Sequence, residues 1–365
     1  MTTNVQTEDA TVPEALDEHR VEEFAEQLFG FYTGGMLTYL VDIGHRTGLF
    51  DAATQGPATS AELAERAGLY ERYVREWLGA MVTGRVITYD PEHGTYRLPA
   101  EHAACLTGGG GGNLAPFALL NTHLAKHVGD VTQAFRDGGG VPYEKFRPEF
   151  TDVMDAVSRG GFDEALLSEW LPLVPGVSAR LEAGARVADI GCGTGHAIVI
   201  LAQQFPNSEF VGYDIAEDAI ALARQEAADA GVDNARFEIR DAATLEIDVP
   251  YDVAFVFDAI HDQIAPAQVL ESIHDVLTPD GVFVMFEPAA SSHLEENVAH
   301  PLAPFIYSIS TLHCLTISLA HDGAGLGTAW GEQLARQMLR DAGFSEVTVE
   351  DVPNEPINAL FVARK

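Results

Sequence analysis

One short stretch constrains this chain more than any other. A β-rich run, Val187–Ile190, leads directly into Gly191-Cys192-Gly193-Thr194-Gly195, and a helical pattern opens at once with His196-Ala197-Ile198-Val199-Ile200. Glycines let the backbone turn sharply and approach a ligand closely. At the carboxyl end of a strand, such a turn lies where open α/β sheets bind their ligands. The surrounding sequence repeats the theme. Further strands are predicted at Glu209–Tyr213, Ala235–Ile239, Asp252–Phe257, Gly281–Phe286, Glu346–Glu350 and Ala359–Ala363, with helices over Glu217–Ala230 and Ala265–Val276. Alternating β and α at this spacing predicts an α/β, Rossmann-like, doubly wound seven-stranded sheet over residues 185–365.

The first half reads differently. Residues 1–20 are polar and acidic and are expected to be a disordered tail without the features of a secretion signal. Residues 21–105 predict a winged-helix α+β domain. Glu22 to Arg46 carries apolar residues at helical spacing (Phe24, Leu28, Phe31, Leu37, Leu40, Ile43), read as a buried helix pair. Thr59-Ser60-Ala61-Glu62 is a helix start, Gly68 its end, and a second helix runs from about Glu71 to Val82. Two short strands, Val86–Tyr89 and Tyr96–Leu98, flank the turn Asp90-Pro91-Glu92-His93-Gly94. Residues 106–184, interrupted by glycine runs at 108–112 and 138–140, read as a helical linker whose helices, about 113–136 and 147–182, wall a substrate pocket.

Composition narrows the function. The 365 residues carry 55 acids against 21 bases, a net charge of −34, and only Lys126, Lys145 and Lys365 are lysines. Such a surface repels phosphate backbones. It fits either a concentrated-salt interior, where screening quenches self-repulsion, or a GC-rich genome that replaces Lys by Arg. Cys105, Cys192 and Cys314 have neither disulfide nor zinc-knuckle spacing, so reduced thiols are expected. No apolar run approaches the roughly 18–20 residues needed to span a bilayer; a cytoplasmic location and no membrane association are expected.

Asp214 ends the second predicted strand, nineteen residues beyond Gly195, where a carboxylate can accept both hydroxyls of an adenosine ribose. That fits a dinucleotide or S-adenosylmethionine. A dinucleotide fingerprint needs G-x-G-x-x-G, whereas this chain has G-x-G-x-G, an acid two residues ahead and His196 in place of the third glycine. The arrangement resembles the glycine-rich motif of class I S-adenosylmethionine-dependent methyltransferases. The resemblance implies that Asp189 with Gly191, Gly193 and Gly195 holds the methionyl amino group. It places Asp214 and Ile215 at the ribose, Asp241 and Ala242 at the adenine, and Phe257 and Asp258 along the same crevice.

The fourth predicted strand runs into Phe257-Asp258-Ala259-Ile260-His261-Asp262-Gln263, at the carboxyl edge beside that crevice. Methyl transfer to a hydroxyl requires alignment and removal of a proton; histidine has a suitable pKa, and a neighbouring carboxylate can fix its tautomer. The chain resembles small-molecule O-methyltransferases that join a winged-helix-like dimerisation domain to a His-Asp pair after strand four. This implies His261 as general base, with Asp262 beside it, and a small-molecule methyl acceptor. Gln263 departs from the aromatic residue that plant-type enzymes place there. Similarity to a winged-helix subgroup often labelled transcriptional regulators runs through Gly139–Tyr143, Phe286-Glu287-Pro288, Tyr307-Ser308 with Cys314, Leu326-Gly327 and Pro356-Ile357-Asn358, and leaves the acceptor open. Glu287 reads as a second base, an acceptor contact or a loop cap. Ser291 to Trp330, about 291–330, is too long for a plain connection and is expected to be a lid. His123 and His127 lie four apart on a helix without a third ligand, and no metal is expected.

The alternative from another class is a winged-helix DNA-binding regulator that senses S-adenosylmethionine. Residues 1–100 hold seven arginines, no lysine and sixteen acids. The candidate recognition helix, Glu71-Arg72-Tyr73-Val74-Arg75-Glu76-Trp77, balances acids against arginines. Phosphate neutralisation is poor, so a homodimerisation domain is the expected reading and nucleic acid is not expected as a partner. The intact glycine loop, Asp214 and His261 argue against an inert scaffold.

Overall fold

The structure is a computed structural model that describes residues 16–353, 355 and 357–365. The first fifteen residues of the expected tail, and Pro356, lie outside the described residues. Asp17 already caps a helix, its carboxylate accepting from the His19 and Arg20 amides. That helix, α1 (Glu18–Arg46), runs unbroken for 29 residues, in place of the predicted buried pair. Gly30, Gly34 and Gly35 face open space instead of a turn. Each costs about 1 kcal/mol against alanine in a helix, and packing at the far end holds the helix together: Leu37, Leu40 and Val41 lie on the winged-helix core, and the Trp77 indole donates to the Leu40 carbonyl at 2.8 Å.

The winged helix comprises α2 (Leu49–Ala53), α3 (Ser60–Ala67), α4 (Glu71–Thr83), the hairpin β1 (Thr88–Asp90) and β2 (Thr95–Arg97), and α5 (Ala100–Leu106). Thr59 and Glu62 exchange capping hydrogen bonds at the start of α3, and left-handed Gly68 ends it. Leu49, Phe50, Trp77, Leu78 and Met81 fill the core. Next come α6 (Pro116–Ala125), α7 (Val128–Asp137), α8 (Glu149–Ala165) and α9 (Val177–Ala183). The stretch read as one helix over about 113–136 breaks at Lys126–His127. A Cβ at Gly140 would stand 1.8 Å from the Thr316 carbonyl, so only glycine lets this segment lie against the later insertion.

The main sheet has the order β5-β4-β3-β6-β7-β9-β8, with β3 (Arg186–Ile190), β4 (Glu209–Asp214), β5 (Ala235–Ile239), β6 (Tyr251–Phe257), β7 (Leu277–Pro288), β8 (Glu346–Asp351) and β9 (Asn358–Arg364). All seven match the strands read from the sequence to within a few residues. β9 runs opposite to the other six strands, antiparallel to β7 and β8 on either side. One face is covered by α9, α10 (His196–Gln204) and α11 (Glu217–Ala230). The other is covered by α12 (Pro266–Val276) and, after the insertion, by α16 (Glu332–Asp341). The insertion following β7 contains α13 (Leu294–Asn297), α14 (Ala303–Ile309), a π turn at Ser310–Cys314 and α15 (Leu315–Leu319). The strand order reverses at β3, between β4 and β6, which opens a crevice at the carboxyl edge. No helix among the described residues is long and apolar enough to cross a membrane.

Candidate active site

The crevice above β3 is part of a cavity of about 790 Å³. Its floor is the glycine turn. Gly195 has φ +75°, and a Cβ there would stand 2.4 Å from the Phe237 ring, so both conformation and space require glycine. Asp189, buried in β3, keeps Oδ1 without a hydrogen-bond partner. Burial, and after it the Asp214 charge, push its pKa up to about 8. Asp214, at the tip of β4, accepts from the Gly193 amide at 2.9 Å and the Ala216 amide at 2.8 Å. Burial raises its pKa against those hydrogen bonds. Each oxygen has one lone pair left for a ligand hydroxyl. Asp241 caps the turn Ala242–Thr244 through the Ala243 amide, and Ile215 leaves its apolar side chain exposed beside it. Gly191, Gly193, Asp241, Ala242, Ile215, Phe257 and Asp258 all line the cavity.

These features suit one kind of ligand: a cation at Asp189, two hydroxyls at Asp214 and a flat apolar group over Ile215. An unpartnered buried carboxylate beside a second one is costly when ionised, and a ligand ammonium offsets that cost. S-adenosylmethionine fits on this ground.

His261 stands on the loop after β6, buried to 3% exposure. Its Nδ1 donates to Glu287 Oε2 at 2.6 Å. Glu287, wholly buried at the end of β7, also accepts from the Ile260 amide at 2.7 Å and the Trp330 indole at 3.2 Å. Burial alone would lower the His261 pKa, but the Glu287 charge, followed by the Cys314 thiol, holds it well above the ordinary value. Asp258, in a left-handed conformation with φ +60°, has an oxygen 3.8 Å from His261 Nδ1. Its pKa is pushed up to about 6 by burial, against the His261 charge. Asp258, His261 and Glu287 thus form one compact group with the chemistry of metal ligands, in which the His261–Glu287 contact is the short one and Asp258 stands further off.

The neighbouring carboxylate that meets His261 Nδ1 is Glu287, from the next strand, and not Asp262. Phe257 pairs with Phe286 across adjacent parallel strands, which brings Glu287 beside the loop that begins at Asp258. Asp262 instead lines the cavity, its pKa pushed up to about 7 by burial against the His261 charge. Trp330 carried no signal as a site residue in the sequence.

Beyond His261 the cavity becomes an apolar chamber. Phe117, Leu120, Tyr143, Phe150 and Met154 form one wall and Phe305, Ile306, Ile309 and Ile317 of the insertion another. His313, from the π turn, stacks on Phe150 at 3.8 Å with its Nε2 unpartnered. Burial, and then nearby histidine charges, hold it well below the ordinary histidine pKa. The insertion grips the loop after β6: the Gly327 amide donates to the His261 carbonyl at 3.0 Å and Ser318 Oγ to the Gln263 carbonyl at 2.9 Å. His123 and His127 pack against Phe146 and do not line the cavity. The two arginines of the cavity wall are engaged, Arg147 with Asp218 and Arg240 with Glu238.

Residues 35–108 match the Rv2258c-like winged HTH domain family and residues 181–343 a methyltransferase domain family. A trans-aconitate 2-methyltransferase of Variovorax paradoxus is 33% identical over 109 residues, 30% of this chain and 40% of the relative; the chain thus spans about two fifths of that protein. Among solved structures, a candidate O-methyltransferase of Nostoc punctiforme superposes with a TM-score of 0.74 at 21% identity, over 93% of this chain and 98% of that one. Human N-acetylserotonin methyltransferase, solved with S-adenosylmethionine, superposes with a TM-score of 0.66 at 17% identity, over 97% and 99%. At these identities the likeness establishes the fold.

Proposed function

Since the chain belongs to the class I S-adenosylmethionine-dependent methyltransferases with an N-terminal winged-helix domain, we propose that it methylates the hydroxyl of an uncharged, largely apolar small molecule, with His261 as general base. The observation that carries this reading is the Glu287–His261 hydrogen bond, where the acid-lined crevice meets the apolar chamber. When bound, S-adenosylmethionine supplies a methyl group activated by a sulfonium. Asp189 holds the ligand ammonium, Asp214 the ribose hydroxyls, and Asp241 with Ala242 the adenine. Glu287 fixes the proton on His261 Nδ1, which leaves Nε2 to take the acceptor proton as the new bond forms. The insertion over residues 291–330 excludes water, so the acceptor oxygen competes with no solvent nucleophile.

The chamber supports the acceptor class. A polyanion such as trans-aconitate would meet no free cation on the cavity wall among the described residues, and would face Asp258 and Asp262. Aromatic groups, Tyr143, Phe150 and His313, suit a flat apolar ring. The exposed apolar stripe of α1 supports a homodimer. A DNA-binding role finds no support in α4, where Arg72 pairs with Glu76 at 2.5 Å and Arg75 with Glu71 at 3.3 Å. The test is incubation with methyl-labelled S-adenosylmethionine and two compound panels, hydroxylated rings and polycarboxylates. Label in the first panel, lost in His261→Ala, supports the proposal; label confined to carboxylates overturns it.

A further inference from the structure

Helix α8 has two jobs that the sequence does not announce. One face lines the chamber through Phe150 and Met154, and Phe162 continues the cavity wall to Phe257. The other is tied to the cofactor crevice. Thr194, within the glycine turn, donates from Oγ1 to Asp155 Oδ1 at 2.5 Å. Arg159, one turn on, donates to both Asp155 oxygens at 2.7 and 2.8 Å. It also donates to both Glu226 oxygens of α11, at 3.0 and 2.7 Å. His196, which stands where a dinucleotide site has its third glycine, contacts Asp163 of α8 through Nε2 at 2.9 Å and Glu226 through Nδ1. The pairs are largely sheltered, with Asp155 and Glu226 each 22% exposed. Two bidentate guanidinium–carboxylate contacts fix geometry far better than a single surface pair.

We infer that this network is a coupling device: Arg159 and Asp155 are positioning residues that lock the chamber wall to the glycine turn, so that filling the crevice organises the acceptor chamber. The inference rests on the reading of the crevice as an adenosyl sulfonium site. The path is short. Thr194 lies in the turn that a ligand must touch, Asp155 takes its hydroxyl, and Phe150, Met154 and Phe162 sit on the same helix as Asp155. Coupling of this kind is reciprocal, so an organised chamber also strengthens retention of the cofactor.

The experiment is amide hydrogen exchange on the full chain, with and without S-adenosylhomocysteine, alongside calorimetry with the same ligand. In the wild type, exchange across residues 149–165 should slow at least tenfold on binding. In Thr194→Val, which keeps the shape of the side chain and removes its hydroxyl, exchange is read at an S-adenosylhomocysteine concentration that calorimetry shows to be saturating for that variant. The slowing should then remain in the glycine turn and vanish from α8. Arg159→Ala should behave likewise; because it strips two carboxylates of their partner and can impair folding, Arg159→Lys provides a second variant, with partial slowing expected. Slowing of α8 that is equal in wild type and Thr194→Val overturns the inference, as does binding that leaves α8 unchanged in the wild type. Failure of the wild type to bind S-adenosylhomocysteine overturns the cofactor reading itself and this inference with it.

Discussion

Glu287 and His261, 26 residues apart, meet in a 2.6 Å hydrogen bond because β7 lies directly beside β6 and both strands end at the same edge. The bond sets the tautomer of a histidine that lines the cavity. His261→Ala should lower turnover roughly 10²–10⁴-fold, the range for a lost general base, while binding of S-adenosylhomocysteine measured by calorimetry stays near normal. Glu287→Gln should cost less than His261→Ala, because the base remains but its orientation weakens. Trp330→Phe, which removes one donor to Glu287, should cost about tenfold or less. Near-normal turnover in His261→Ala would remove the base assignment.

The charge of Glu287 also determines the pH profile. A base works neutral, and His261 in the free protein has a pKa well above the ordinary histidine value because the Glu287 carboxylate more than offsets burial. Therefore kcat/KM should be low at pH 6 and should climb with pH through that raised value. In Glu287→Gln the climb should move to lower pH. A profile already flat from pH 6 upward would show that no such base limits the reaction.

The sheet was legible because each strand is a short apolar run ending in a turn, and the glycine loop announces itself by residue type. Asp189, Asp214 and His261 could be placed along one cavity because each ends a strand or follows one, where position along the chain gives position in space. Glu287 as the partner of His261 was not, since it depends on which strands are neighbours, and Asp262 was the nearer carboxylate in sequence. Trp330 and Thr194 lay further out of reach: their roles come from side chains folding back across a long insertion or onto a helix residue 39 positions earlier. The α1 error has another cause. Periodicity reports an apolar face, but not whether that face is covered within the same chain.

The buried acids of the crevice make a thermodynamic prediction. Asp189 has a folded pKa of about 8, far above the ordinary carboxylate range, because burial disfavours its charge. Asp262 and Asp258, at about 7 and about 6, shift the same way. At these three carboxyls the ligand-free fold holds protons that the unfolded chain has released, so their contribution to stability falls as pH rises from about 4 to about 8. An ammonium at Asp189 favours the ionised form, so affinity for S-adenosylhomocysteine should rise with pH and level off near 8. The thermal upshift caused by that ligand should grow over the same window. Asp189→Asn should bind weakly and lose most of the pH dependence; affinity that falls with rising pH would contradict the assignment.

The first helix supplies the last prediction. Phe29, Tyr32, Met36 and Tyr39 recur at spacings of three and four, which puts them on one stripe, and their exposures run from 40% to 70%. The glycines Gly30 and Gly34, four residues apart with nothing within 4 Å of a built Cβ, leave room for a second helix to approach closely. A monomer would leave this stripe in water at a cost of about 25 cal/mol per Å² of apolar surface; pairing with a second α1 removes it from water without changing the chain. Light scattering during gel filtration should give twice the chain mass for the wild type. Introducing charge with Phe29→Glu and Met36→Glu together should give a single chain mass, with the winged-helix core intact because neither residue belongs to it. A wild type that runs as a monomer at micromolar concentration would leave α1 for a different partner.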